Sequence, residues 1–275
     1  MRHRTKTSGF YWIETIENTI LGLKPYLWMD ASLGSYFQGT SGNVISCAAP
    51  NEVHIAQTWL DRSGNDRDFV APSTVASPSY KCDSQVRPLY QLDGYLEGDG
   101  TDDTMSFNFE TAPAGTEDGV SGVIDTDFTF IFVMQAVDEV PSANDSFIAS
   151  GEYGIAKNWQ IGTTGNDLNN IYFRLTNASN SNYNVQLHGY DTNPHVYFIQ
   201  RKTATVTFKV DGNLVATETY PTNKLPTLRE LKLYTNRASN VNINAHFSEF
   251  FVFTGSLTSD QEFGIQQYLL SKWGV

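Results

Sequence analysis

Apolar and polar residues alternate along most of this chain, a period-two pattern that predicts β-strands. The clearest example is DFTFIFVMQAV, whose apolar side chains fall on both faces of an extended segment. One face carries Phe128, Phe130, Phe132 and Met134, and the other carries Ile131 and Val133. A strand that is apolar on both faces is typical of the middle of a sheet that is covered on both sides.

Two later stretches continue the strand pattern. TVTFKVDGNLVATETY predicts a hairpin, because Val206, Phe208 and Val210 share one face and Asp211-Gly212 supplies a tight turn. Near the end of the chain, every second residue from 241 to 253 is expected to lie on the same face of one strand. These residues are Val241, Ile243, Ala245, Phe247, Glu249, Phe251 and Phe253. Many short strands separated by Gly and Pro turn signals predict a β-sandwich. No break in composition indicates a second domain.

Helical spacing occurs only near the two ends. Ile13, Ile16, Ile20 and Leu23 predict a short amphipathic helix after a polar, basic opening. This helix either packs on its own domain or docks on a neighbouring subunit. We therefore divide the chain into an N-terminal arm, residues 1–23, and a sandwich domain, residues 24–275.

The C-terminal segment predicts a second helix with both ends defined. Ser259 and Glu262 have the spacing of a capping box, and Gly274 is placed to end the helix. The apolar stripe consists of Ile265, Tyr268, Leu269, Lys272 and Trp273. Such a stripe needs an apolar partner, which we expect the sandwich to provide.

Charge and composition limit the classes of partner and of location that we expect for this protein. The formal net charge is −12, from 30 acidic and 18 basic residues, which argues against nucleic acid as a partner. No apolar run reaches the length of about 18 residues that a membrane span needs. The basic start lacks the apolar stretch of a signal peptide, whereas the abundance of Asn, Thr, Ser and Gly is typical of extracellular β-proteins. A virion protein would satisfy both observations; a cytosolic protein or a processed secreted protein are the alternatives.

Four segments together resemble a known family. They are YLWMDAS at 26–32, TWLDRSGNDRDF at 58–69, RPLYQLDGYLEGDGTDDTMSF at 87–107 and FSEFFVFTGSLTSDQEFGIQQYLLSKWGV at 247–275. In this order they are similar to the concanavalin A-like lectin/glucanase fold in its laminin-G-like branch. The third segment departs from the family, because Glu97-Gly98 precedes Asp99 where an aromatic residue is usual.

The resemblance implies an all-β fold, a two-sheet antiparallel sandwich of the concanavalin A-like jelly-roll type with a short helix at each end. It also implies that the last strand returns beside the first and that the final helix is structural. Such domains serve as lectins, hydrolases, adhesion modules and bacteriophage structural proteins, so function does not follow from fold. We expect a non-enzymatic virion surface protein, a capsid decoration or tail subunit, that is homo-oligomeric and contacts other virion proteins through the N-terminal arm. The alternative is a carbohydrate-binding module or adhesin.

A glycoside hydrolase is the remote alternative. Hydrolases with this fold carry paired carboxylates on one strand, and the nearest pattern here is Glu97-x-Asp99-x-x-Asp102. Alternation would put Glu97 and Asp99 on one face, roughly 6–7 Å apart, whereas retaining catalysis needs about 5–5.5 Å. Gly98, Gly100 and Thr101 favour a turn instead, so we expect no enzymatic activity.

Calcium is the one cofactor that the sequence suggests. In DRSGNDRD, oxygen ligands recur in the manner of a calcium loop at Asp61, Asn65 and Asp68, although the Gly and Glu that such a loop requires are absent. DGTDD gathers Asp99, Asp102 and Asp103, which would repel one another unless solvated, hydrogen-bonded or metal-bound. For both segments the alternative is an Asx-turn that caps backbone amides.

Sugar binding needs an aromatic platform beside amide or acid groups, and two Asn-rich loops offer these groups. The candidate residues are Tyr153, Asn158, Trp159, Asn182, Tyr183 and Asp191. Trp159 and Tyr183 have an alternative role as packing residues. The five histidines are scattered without an evident metal spacing, and Cys47 and Cys82 are either bridged or free.

Overall fold

The computed structural model describes residues 16–48, 52–82, 94–107, 126–137, 146–150, 158–164, 167–176, 182–220, 226, 228, 230–235 and 244–275. The strands are β1 (Leu27–Asp30), β2 (Phe37–Gln38), β3 (Val53–Ile55), β4 (Thr58–Trp59), β5 (Phe69–Val70), β6 (Ser79–Cys82), β7 (Gly94–Asp99), β8 (Met105–Phe107), β9 (Phe128–Ala136), β10 (Ser146–Ser150), β11 (Asn158–Thr164), β12 (Asp167–Thr176), β13 (Asn182–Gly189), β14 (Pro194–Lys202), β15 (Thr205–Val210), β16 (Asn213–Thr219), β17 (Leu231–Leu233) and β18 (Asn244–Thr254). Helix α1 covers residues 16–22 of the described chain, helix α2 covers Ser259–Trp273, and a 3-10 turn covers Gly34–Tyr36.

Within the described residues, the strands form two antiparallel nine-stranded sheets, so the predicted all-β sandwich is confirmed. The first sheet has the order β16-β15-β14-β9-β18-β7-β6-β3, with β1 also paired to β18. The second has the order β13-β12-β11-β10-β17-β8-β5-β4-β2. The pairing of β1 with β18 brings the first strand beside the last, as the family resemblance implies.

Aromatic side chains fill the space between the sheets. Phe250 of β18 lies at the centre, 5.3 Å from the ring of Trp59 and 6.0 Å from that of Phe130. The predicted two-sided strand is β9, which is buried at every position but Gln135. One face of β9 contributes to this core and the opposite face contributes to a second cluster under the helices.

That second cluster lies between the outer face of the first sheet and the two helices. The predicted stripe of α2 is buried at all five positions, and Gly274 ends the helix with a left-handed φ of 67°. The predicted capping box, however, lies one residue too late. Thr258 is the N-cap and exchanges hydrogen bonds with Gln261, while Glu262 pairs instead with Lys209. The pattern Thr-x-x-Gln meets the same requirement as Ser-x-x-Glu, and only the backbone decides between them.

The predicted single face of the last strand is interrupted by a β-bulge. The register of β18 against β9 shifts between Phe247 and Glu249, so Ser248 is the extra residue. Ala245 and Phe247 face the inter-sheet core, whereas Phe251 lies on the helix side. Because a bulge inserts one residue, every side chain beyond it changes face. Val241 and Ile243 lie outside the described residues.

The predicted turn of the hairpin β15–β16 is confirmed at Asp211 and Gly212, which both have positive φ. For Cys47 and Cys82, which the sequence left either bridged or free, the structure shows a disulfide. Helix α1 packs on the domain through Ile20, which is 1 % exposed. The division of the chain at residue 23 stays a prediction, and the first 15 residues lie outside the described chain. Within the described residues, no helix has the length and apolarity needed to cross a membrane.

Candidate binding site

The connection between β13 and β14 carries a polar and aromatic cluster at one end of the sandwich. Here the chain crosses from the edge of the second sheet into the first. Asp191 accepts a hydrogen bond from the amide of Asn193 at 2.8 Å, and the amide of Tyr190 donates to the carbonyl of Asn169 at 2.7 Å. We use the name rim site for the groups at this end of β12 and β13 and on the chain that follows: Asn170, Gln186, His188, Tyr190, Asp191, His195, Tyr197 and Asp211.

One side of the rim site presents groups suited to sugar hydroxyls. Gln186 on β13 donates through Nε2 to the Oδ1 of Asn170 on β12 at 2.7 Å, and this pair is exposed. Tyr190 is half-buried and packs against the edge of the inter-sheet core. Paired amides offer donors and acceptors side by side, and a tyrosine ring offers an apolar surface with a polar tip.

The other side of the rim site is a histidine pair with two carboxylates. The rings of His188 and His195 lie 4.4 Å apart between centroids. His195 contacts Asp211 through Nδ1 at 2.7 Å and Asp191 through Nε2 at 3.0 Å. His188 Nε2 lies 2.7 Å from the hydroxyl of the buried Tyr197.

The pKa values of the two imidazoles are shifted in opposite directions. Burial opposes protonation of His195, but the hydrogen bond and charge of Asp211, followed by those of Asp191, outweigh it and raise its pKa. Burial, reinforced by the charge of His195, lowers the pKa of His188. The pair therefore accepts one proton more readily than two, because adjacent like charges repel.

Only part of the predicted sugar-binding set lies at this site. Asp191 does, whereas Trp159 and Asn158 are fully buried, and Trp159 packs on Phe173 in the core. Burial removes these two side chains from any surface platform. Tyr183 is 36 % exposed and makes an edge contact with Tyr220. Asn182 begins β13, opposite Thr176, and its side chain lies outside the described residues, as does all of Tyr153.

Sequence reasoning passed over the histidines, although a signal was present. His188, Asp191 and His195 follow one another at short spacing, and the structure brings their donor atoms within 4.8 Å of one another. The fourth group, Asp211, comes from the tip of the β15–β16 hairpin. Only the pairing of β14 with β15 brings this hairpin beside His195.

The first predicted calcium turn is held together by protein hydrogen bonds. Asp61 accepts from the amides of Trp28 and Ser63 at 2.9 and 2.8 Å, and Asp68 accepts from the amide of Asp61 at 2.8 Å. Asn65 donates its side-chain amide to the carbonyls of Pro25 and Tyr26. These contacts support an Asx-turn that attaches the loop to β1, and calcium at this turn stays a prediction.

The second predicted turn does gather its three carboxylates. Asp99, Asp102 and Asp103 have oxygen atoms within 4.8 Å of one another. Asp103 accepts from the amide of Asp99 at 2.8 Å, and burial raises its pKa to about 6. The charges of Asp99 and Asp102 add to this rise in the pKa of Asp103, and calcium here also stays a prediction.

The nearest hydrolase pattern does not have the electrostatics of a catalytic acid. Glu97 lies on β7 and contacts His246 Nε2 at 2.9 Å and Lys81 Nζ at 3.2 Å. The hydrogen bond from His246 is the main effect that lowers its pKa, against burial. A general acid in glycoside hydrolysis needs a raised pKa. This arrangement weighs against the hydrolase alternative.

A second ionic cluster lies sealed beneath α2, and we call it the sealed cluster: Asp30, Glu249 and Lys272. Lys272 Nζ lies 2.8 Å from Asp30 Oδ2 and 2.9 Å from Glu249 Oε2. Asp30 also pairs with Arg62. Trp28 and Trp273 donate their indole N–H groups to Glu249 at 2.9 and 2.8 Å. With no access to solvent, this cluster stabilises the helix position and offers no binding surface.

The comparisons with known proteins show the fold. No family model matches the chain, and no curated protein sequence does. A receptor binding domain of botulinum neurotoxin D is similar, with 11 % identity and a TM-score of 0.58 over 90 % of this chain and 53 % of that one. So is the botulinum neurotoxin serotype D ligand binding domain in complex with N-acetylneuraminic acid, with 11 % identity and a TM-score of 0.56 over 93 % and 52 %.

A third similar structure is the binding domain of botulinum neurotoxin DC in complex with rat synaptotagmin II. It has 15 % identity and a TM-score of 0.55 over 91 % of this chain and 52 % of that one. The chain spans about half the length of these solved domains. At such identities the likeness shows a β-sandwich fold and does not show a function.

Proposed function

We propose that this chain is a non-catalytic, lectin-like binding domain that recognises a glycan at the rim site. The observation that carries the proposal is that β12, β13 and the turn after β13 carry, within a few residues of one another along β13, the exposed Gln186–Asn170 amide pair, the half-buried ring of Tyr190 and the carboxylate of Asp191. Amides and a carboxylate bind sugar hydroxyls, and a tyrosine ring covers the apolar face of a sugar.

The structural neighbours support a binding role. One similar domain was solved with N-acetylneuraminic acid and another with rat synaptotagmin II, so sandwiches of this kind carry both glycan and protein ligands. We favour a glycan for this chain because the exposed groups at the rim are amides and carboxylates. A protein ligand remains the outcome to consider if glycans fail.

A glycan array probed with the full chain tests the proposal. We expect saturable binding that Tyr190→Ala and Gln186→Ala each weaken by at least tenfold. Tyr95→Ala is the matched control, because Tyr95 is also a half-buried tyrosine but lies on β7, where it contacts His246, away from the rim. No binding to any glycan, or equal loss in the control, would contradict the proposal. Repeating the array with EDTA and with calcium asks whether the acidic turns contribute.

For the biological setting we propose the surface of a virion, with a homo-oligomer attached through its N-terminal residues. The basic opening with Arg2, Arg4 and Lys6 supports this, since the chain as a whole is strongly acidic. Because Ile20 of α1 packs on the domain, we propose residues 1–15 as the attachment segment. The fragment 16–275 should fold and keep glycan binding but lose attachment to its particle; retained attachment would contradict this placement.

A further inference from the structure

We propose that the rim site binds a divalent transition-metal ion, Zn²⁺ or one of similar chemistry, through His188, Asp191 and His195. The inference goes beyond glycan recognition and does not depend on it. The three residues supply two imidazoles and one carboxylate whose donor atoms lie within 4.8 Å of one another. Imidazole nitrogen and carboxylate oxygen are typical zinc ligands, and three protein ligands leave a coordination position open.

The hydrogen bond to Asp211 orients His195 as a metal ligand. Asp211 is itself held in place, because its Oδ1 accepts from the amide of Val196 at 2.8 Å while its Oδ2 lies 2.7 Å from His195 Nδ1. With the proton on Nδ1, the lone pair of Nε2 points toward Asp191 Oδ1. A carboxylate behind the distal nitrogen is the usual outer support of a metal-bound histidine.

The contact between His195 and Asp191 requires a cation. Nε2 and Oδ1 are 3.0 Å apart, so a neutral imidazole would direct a lone pair at a carboxylate oxygen. Either a proton or a metal ion between them removes this repulsion. Two ligand atoms on a tetrahedral zinc lie about 3.3 Å apart, given bond lengths near 2.0–2.1 Å. The observed separation is therefore close to that of a shared ion.

His188 completes the set as a neutral ligand. Its Nδ1 donates to the carbonyl of Gly189, so Nε2 carries a lone pair. This lone pair accepts a hydrogen bond from the hydroxyl of Tyr197 at 2.7 Å. A small rotation of the ring would exchange that hydroxyl for the metal. The donor atoms of the three residues already lie within 4.8 Å of one another.

The charges at the rim also match a dication. Asp191 and Asp211 together supply two negative charges, and the side chain of Asp191 is 40 % exposed, which gives an ion a route from solvent. The charged groups that face the histidines are these two carboxylates. Zinc would bring the local charge to zero, whereas protonation of one histidine leaves it at −1.

Titration calorimetry of the metal-free full chain with zinc chloride tests the inference. We expect one ion per chain, with affinity lowered at least tenfold by Asp191→Asn, His188→Gln and His195→Gln. Asp211→Asn should weaken binding about 10–100-fold as a loss of outer support. The matched control is His246→Gln, since His246 also pairs with a carboxylate, Glu97, at 2.9 Å but lacks a second histidine. It should bind zinc like the unmodified chain.

Three results would overturn the inference: no zinc binding, unchanged affinity in the three ligand variants, or an equal loss in His246→Gln. Melting curves without metal establish that each variant is folded, and the cobalt absorption spectrum gives an independent readout of histidine ligation. Zinc binding in a chain that binds no glycan would overturn the proposed function alone. Glycan binding without zinc binding would overturn this inference alone.

Discussion

The sealed cluster and the rim site both pair two carboxylates with a basic side chain but differ in their access to water. Asp30, Glu249 and Lys272 are at most 2 % exposed, and every charge faces another charge or a donor. At the rim, the side chains of Asp191 and Asp211 are 40 % and 29 % exposed. Charges without water are costly unless paired, so removing one partner of the sealed cluster should destabilise the fold. The charged groups at the rim are in contact with water, which a ligand can displace.

The largest expected effect on stability comes from removing the lysine of the sealed cluster. Lys272→Met leaves Glu249 without its cation, although Arg62 still pairs with Asp30. We expect a loss of about 3–5 kcal/mol in the free energy of unfolding, measured by chemical denaturation. Lys209→Met is the control, because the Lys209–Glu262 pair on the same helix is partly exposed and is worth about 1 kcal/mol or less. Equal losses in the two variants would remove the distinction between sealed and exposed pairs.

A second expected effect concerns α1, which lies on the sealed side. Ile20→Ala should cost about 2–4 kcal/mol, because Ile20 is 1 % exposed and its truncation leaves a cavity. Leu21→Ala on the same helix is the control and should change stability by less than about 1 kcal/mol, since Leu21 is 40 % exposed. If Ile20→Ala were as mild as the control, α1 would be a detachable arm after all.

The pH dependence of stability should separate the two carboxylates of the sealed cluster. Burial raises the pKa of Glu249 to about 7 against the opposing charge of Lys272. Burial alone would raise the pKa of Asp30, but the charges of Lys272 and Arg62 outweigh burial and lower this pKa to about 2. Above the ordinary pKa of Glu, near 4.3, the unfolded chain loses a proton that folded Glu249 retains up to about pH 7. Its contribution to stability therefore falls as pH rises through this window.

Denaturation at pH 5 and at pH 8 measures this effect. The unmodified chain should lose up to about 3 kcal/mol more than Glu249→Gln between these values, since glutamine does not titrate. Asp30 is ionised in both states throughout this range, and its contribution is lost only as pH falls from about 4 toward 2. Identical slopes in the two proteins would mean that Glu249 is ionised when folded, as the indole donors of Trp28 and Trp273 favour.

Local patterns were sufficient to predict much of the fold. The two-sided strand β9, the Asp211-Gly212 turn and the buried stripe of α2 each depend on residues close together in sequence. The bulge at Ser248 was not predictable, because it depends on how β18 aligns with β9. The sealed cluster depends on that bulge, since Glu249 then faces α2. Its signal was a lone charge within an apolar run.

The candidate site was predicted less well, for the same physical reason. Asp191 was identified from its loop, but Trp159 was taken for a possible surface aromatic although it packs in the core. An aromatic residue near Asn and Gly has the same local pattern whether it faces water or another strand. The role of Asp211 depends on contact between β14 and β15, which no spacing along the chain reveals.

The smallest effect on stability is expected at the rim, and it sharpens the comparison most. His195→Gln should change the free energy of unfolding by less than about 1 kcal/mol at pH 7, because its ion pairs are partly exposed. Asp211 and Asp191 raise the pKa of His195 despite its burial, so its contribution is present below the ordinary value near 6.5 and is lost as pH rises past the raised pKa.

Zinc and a proton compete for the same lone pair of His195, so metal affinity should rise as pH increases from 6 to 8. Calorimetry at both values, in buffers of different ionisation enthalpy, would measure the proton released on binding. His195→Gln should show weaker affinity and a smaller pH dependence, with His246→Gln again unchanged. A zinc affinity independent of pH in the unmodified chain would contradict ligation by His195. The rim would then differ from the sealed cluster only in its exposure to water and not in its capacity to exchange a proton for a ligand.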